Sequence, residues 1–137
     1  MSLYLCIIEH DVDVYGVDVG FYSDFGTFRN AVSKLLEDGM AGSKYPTLML
    51  HSDCDGLWTV ADCLELEREL CEIEKAFSAM PAELFKSEWQ RNIAKLLGLQ
   101  PKNLNESFID VDGELLIERL INLCQMAQKL NSPIIFQ

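Results

Sequence analysis

The sequence predicts an α+β protein in which a mixed sheet of about four strands packs with three or four helices. Three observations lead there. Residues 3–9, "LYLCIIE", are continuously apolar, as in a strand covered on both faces. Two later segments, about 59–77 and 112–130, repeat apolar residues with the helical period. A short apolar end, "SPIIFQ", follows the second of them. With 137 residues and 49% hydrophobic composition, the chain is long enough for one cooperative core and short for two. Residues 1–137 are therefore expected to form a single domain.

The elements follow in order. "VYGVDVG", residues 14–20, is a candidate second strand, with residues 9–13 as the turn before it. "SDFGTFRNAVSKLLEDG" has the start and stop of a helix. Ser23 or Asp24 can cap it, Phe25, Phe28, Val32, Leu35 and Leu36 share one stripe, and Gly39 ends it. Gly39, Gly42 and Pro46 make most of the next stretch a loop, with a short extended or helical piece at residues 47–50.

From Thr59 to Phe77, Leu66, Leu70, Ile73 and Phe77 lie on one helix face, while Asp62, Glu65, Glu69 and Glu72 form a separate acidic face. Pro81 is a candidate start for a short helical piece, and residues 87–97 read as a helix stopped by Gly98 and Pro101. "SFIDV", residues 107–111, reads as a strand. In the helix after it, Leu116, Leu120, Leu123, Cys124 and Ala127 form a broad buried arc. A helix of that length between two strands permits a crossover that sets them parallel.

Charge narrows the partners. The chain has 22 Asp and Glu against 11 Lys and Arg, a formal net charge of -11. That average repels a nucleic-acid backbone, and the basic residues are scattered singly, so no direct nucleic-acid partner is expected. A basic protein partner fits better, with acidity for solubility alone as the plain alternative. The five cysteines, at 6, 54, 63, 71 and 124, are odd in number and lie mostly among apolar residues. The opening "MSLYLCIIEHD" lacks the basic region and apolar core of a signal peptide, and no apolar run approaches the roughly 20 residues of a membrane span. A cytoplasmic protein with reduced thiols and no membrane partner is the expectation.

The segment "LMLHSDCDGLWT", residues 48–59, looks the most like a chemical site. His51, Asp53, Cys54 and Asp55 are all able to bind metal, but structural zinc needs four convergent ligands and His10 is the only other histidine. As a calcium loop starting at Asp53, it carries Leu64 where the bidentate glutamate belongs. Cys54 near His51 suggests a thiol and its base, yet spacing alone supplies no oxyanion hole. No nucleophile elbow, phosphate loop or dinucleotide fingerprint occurs. Neither a metal nor a cofactor is expected. The structural alternative is a turn: Asp and Ser accept local backbone N–H bonds, Gly56 supplies a positive φ, and Trp58 is held against the core. Trp58, Trp89 and Tyr45 are also possible contact anchors, although each is more often a core residue.

Taken together and in order, "VDVGFYSDFGTFRNAV", "AGSKYPTLMLHSDCDGLW", the acidic helix, "SFIDVDGELLIERL" and "SPIIFQ" resemble the bacterial family called immunity protein seventy, over about residues 3–137. Gly42, Ser43, Tyr45 and Pro46 match the family's Gly-Ser-aromatic-Pro segment. The resemblance implies a small α+β cytoplasmic protein of polymorphic toxin systems that binds and neutralises a cognate toxin, and it supplies no catalytic set.

The expected function is stoichiometric toxin neutralisation, with a basic nuclease face as a candidate target. Asp53, Asp55, Asp62, Glu65, Glu69 and Glu72 are the expected contacts, and Gly42, Pro46, Gly56 and Trp58 the loop framework. Two alternatives stay open: a metal-dependent or thiol enzyme centred on His51–Asp55, and a housekeeping interaction domain. A homodimer is also open, since the terminal strand closes the sheet internally or pairs across two chains.

Overall fold

The computed structural model describes residues 2–137. Strand β1 (Ser2–Glu9) turns tightly through His10 and Asp11, both at positive φ (50° and 63°), into β2 (Val12–Phe21). Two consecutive left-handed residues suit a two-residue hairpin, because such a turn matches the strand twist. The turn is thus shorter than the 9–13 expected from sequence, and β2 is longer. Leu3, Leu5, Ile7, Val17 and Val19 enter the core.

Helix α1 (Tyr22–Leu36) follows directly, then the single turn α2 (Pro46–Met49), the two-residue strand β3 (Leu57–Trp58) and the long helix α3 (Val60–Ser78). Helix α4 (Glu88–Leu97), a 3-10 turn (Asn105–Ser107), α5 (Leu116–Leu130) and β4 (Ile134–Phe136) complete the chain. The sheet order is β2-β1-β4-β3. The terminal strand therefore closes the sheet within one chain, pairing with β1 on one side and β3 on the other. Helices α3 and α5 pack on each other. Their stripes, including Leu66, Leu70, Ile73 and Phe77 from α3 and Leu116, Leu120, Leu123 and Ala127 from α5, share one core with the strands and α1. The architecture is a single α+β domain.

Three expectations are corrected. Residues 107–111 do not form a strand: Ile109 makes one isolated bridge to Leu115. The cause is Asp110, whose buried carboxylate accepts the N–H groups of Asp112 and Glu114 at 2.9 and 3.0 Å and folds "DVDGE" into a tight loop. The parallel crossover from that segment is consequently not formed, and the three strand pairings are antiparallel. Pro81 starts no helix; residues 81–86 run irregularly toward α4.

Candidate functional site

The segment from the end of α1 to the start of α3 is organised by two buried glutamates and an arginine. Glu37, at the C-terminal cap of α1, accepts hydrogen bonds from the N–H groups of Gly42, Lys44 and Tyr45 at 3.1, 2.9 and 2.8 Å. Gly42 has φ +84°, a conformation that disfavours a side chain, and Leu50 lies where its Cβ would be. Tyr45 is buried in the core and Pro46 opens α2, where its missing N–H is no loss.

The next two N–H groups, of Thr47 and Leu48, donate to the Glu69 carboxylate at 3.1 and 3.0 Å. Glu69 is 1% exposed. It is therefore not part of an outward acidic face. Leu66 and Ile73, three residues before and four after it, place it beside the buried stripe, and α2 covers it there. Arg29 of α1 closes the other end of α2, donating through Nη2 to the carbonyls of Met49 and His51 at 2.6 and 3.1 Å. Burial lowers the pKa of its guanidinium, while the charge of Asp53 opposes that shift.

Residues 51–58 rest on this base. Trp58 is buried; its indole N–H donates to the Thr47 carbonyl at 3.1 Å and its ring meets Phe136 edge-on at 4.7 Å. His51 stacks on Phe136 at 4.3 Å, with one ring nitrogen 2.9 Å from the Ser52 carbonyl and the other 2.9 Å from the Leu57 carbonyl. Gly56, at φ +86°, passes its carbonyl to the N–H of Phe136 at 3.0 Å, tying the loop to the sheet.

That leaves Ser52, Asp53, Cys54 and Asp55 exposed. The contact of Cys54 is with the Ser52 hydroxyl, at 3.7 Å, and the imidazole nitrogens are turned to backbone carbonyls. A thiol–imidazole pair is not assembled. Among the described residues no group of three or more His, Cys, Asp or Glu is placed to hold a metal ion. All five cysteines are free: Cys6, Cys63 and Cys124 are buried, whereas Cys54 and Cys71 are exposed.

Helix α3 leaves the loop through a reciprocal cap. Thr59 Oγ1 accepts the Asp62 N–H at 3.0 Å, and Asp62 returns the bond to the Thr59 N–H at 3.0 Å. Half-buried Asp62 is followed outward by exposed Glu65 and Glu72, which flank Arg68 at 3.3 and 2.5 Å. Of the six carboxylates expected as contacts, Asp53, Asp55, Glu65 and Glu72 are thus exposed, Asp62 is half-buried and Glu69 is buried. Of the other aromatic candidates, Tyr45 lies in the core, and half-buried Trp89 donates its indole N–H to the Asp24 carboxylate at 2.9 Å.

Glu37 and Arg29 were not singled out by the sequence. Glu37 left no usable sign, because its partners are backbone N–H groups. Glu69 did carry one, in its apolar neighbours at helical spacing.

Among the described residues no helix is long and apolar enough to cross a membrane. Comparisons with curated proteins and with solved structures returned no match. The family model described as Immunity protein 70 does match, over residues 8–136, which takes in every element from the end of β1 to β4. The chain belongs to the Immunity protein 70 family.

Proposed function

We propose that this protein binds a cognate toxin one to one in the cytoplasm and occludes its working surface, without catalysis of its own. Family membership supports a role in toxin immunity. The observation that most favours direct occlusion is the construction of the 51–58 loop. Its buried side is fastened by Trp58, His51 and Arg29, while Asp53 and Asp55 stay exposed. A loop fastened in this way loses little freedom on binding, so more of the contact energy becomes affinity. With Asp62, Glu65 and Glu72 alongside, it offers negative charge that steers a basic partner such as a nuclease face.

The test is the double variant Glu65→Lys/Glu72→Lys, with folding checked by circular dichroism. Its association with the toxin's C-terminal domain should slow severalfold at low salt. The difference should shrink as added salt shortens the screening length to about 10 Å or less. Equal association rates at low salt would remove these carboxylates from the interface.

A further inference from the structure

A groove beside α4 has the opposite character. It lies between residues 82–85 and the face of α4 that carries Arg91, Ala94 and Lys95, has a volume of about 640 Å³, and is also lined by Leu99 and Pro101. Its floor is a small cluster separate from the main core, in which Phe85, Ala94 and Ile109 are buried. Leu84 stands at its edge 90% exposed. Lone exposed leucines are common, but one on the rim of an open apolar groove contributes more as a contact than as surface.

The charge around the groove reverses that of the chain. Arg91 and Lys95 line it, and Lys34 and Lys86 line an adjoining cleft of about 300 Å³. One carboxylate, Glu83, lines both clefts, and a second, Asp24, lines a smaller one beside them. Glu83 lies 3.9 Å from Lys86, and Asp24 is buried, accepting bonds from Phe21 N–H, Trp89 and Ser87. Among the described residues Lys34 and Lys95 have no carboxylate at ion-pair distance. Four cations against two engaged carboxylates make this the basic side of a protein whose net charge is -11.

The clefts also connect. Glu83 lines both the groove and the adjoining cleft; Asn30 lines that cleft and a further one of about 410 Å³ walled by Arg29, His51 and Asp53. The three clefts therefore follow one another from Leu84, past Asn30 on α1, to the Asp53 loop. The groove is preformed: Trp89 and Ser87 bond to Asp24, fixing α4 to the start of α1, and Arg91 donates to the Phe85 and Lys86 carbonyls at 3.0 Å.

We propose that the toxin domain spans these clefts and seats in the groove a segment whose apolar side chain is flanked by carboxylates. This rests on the toxin-binding function proposed above. The exposed aspartates of the 51–58 loop repel such a segment, whereas Arg91 and Lys95 in the groove attract it. A negative loop at one end and a basic apolar groove at the other fix the partner in one orientation.

Two variants test it: Leu84→Glu, at a site too exposed to threaten the fold, and Lys34→Glu/Lys95→Glu. Affinity for the C-terminal domain of the cognate toxin is measured by calorimetry, with size-exclusion chromatography of the protein alone. Each variant is expected to weaken binding by about tenfold or more. Tight wild-type binding with both variants unchanged overturns the groove and leaves neutralisation standing. A wild-type dimer that Leu84→Glu dissociates overturns the toxin as occupant and makes it a second copy of this chain. Failure of the wild-type protein to bind overturns both proposals together.

Discussion

Removal of the Glu69 side chain should unseat the α2 turn. In the folded protein its carboxylate, 1% exposed, accepts the Thr47 and Leu48 N–H groups at 3.1 and 3.0 Å. Alanine leaves the buried Leu48 donor and the half-buried Thr47 donor without a partner, at about 1–3 kcal/mol each with Thr47 at the low end, and opens a small void. The two bonds share one side chain and are not additive, so about 3–4 kcal/mol is expected for Glu69→Ala. Glutamine keeps one acceptor oxygen and should cost about half as much. For a chain of 137 residues, 1 kcal/mol corresponds to roughly 3–4 °C, which puts the alanine variant roughly 9–16 °C below wild type.

Thermal and urea denaturation followed by circular dichroism provide the assay. Glu65→Gln and Glu72→Gln, exposed neighbours on the same helix, serve as controls and should move the midpoint by less than about 2 °C. If Glu69→Ala melts with those controls, the buried role of Glu69 is wrong and the residue belongs with the surface carboxylates. The same geometry rules out Glu69→Lys as a probe of binding, because it buries a cation against two N–H donors.

Gly42→Ala places a side chain at φ +84° and against Leu50; since Leu50 is itself exposed and able to move, a loss of about 1–2 kcal/mol is expected from denaturation. Tyr4 donates to Asp13 Oδ2 at 2.6 Å, and that bond, followed by burial and the charge of Asp13, raises its pKa from 10.0 to about 12. The folded protein therefore holds the Tyr4 proton more tightly than the unfolded chain. The stability this contributes is complete below pH 10.0 and is lost as pH rises toward about 12. Absorbance titration should show this late phenol, and Asp13→Asn should move it back toward 10.0; an unmoved titration contradicts the assignment.

Much of the fold was legible because it rests on local rules. The amphipathic repeat of α3, the Gly98 stop of α4, and the apolar runs of β1 and β4 each announce themselves within a few residues. "SFIDV" failed because its strand-like side chains say nothing about where its backbone bonds go, and Asp110 takes them into a loop. The site divides in the same way. Positive φ at Gly42 and Gly56 is a property of the residue type, whereas the burial of Glu69 depends on α2, more than twenty residues away, folding over it.

The basic groove was hidden for a related reason. Lys34 and Lys86 look scattered in the chain and face one cleft only because α1 and the residues before α4 are packed together. Charge read along a sequence misses patches assembled from distant segments. Glu69 is the complementary case: it shares the helical spacing of Glu65 and Glu72 yet lies buried beneath α2.

One-to-one occlusion fixes a stoichiometry, and titration of the cognate toxin's C-terminal domain with this protein measures it. Residual toxin activity, plotted against molar ratio at concentrations well above the dissociation constant, should fall linearly and reach zero at one equivalent. Complete loss of activity at a small fraction of an equivalent would show turnover, and unchanged activity at excess would show no immunity toward that toxin; either result contradicts one-to-one occlusion.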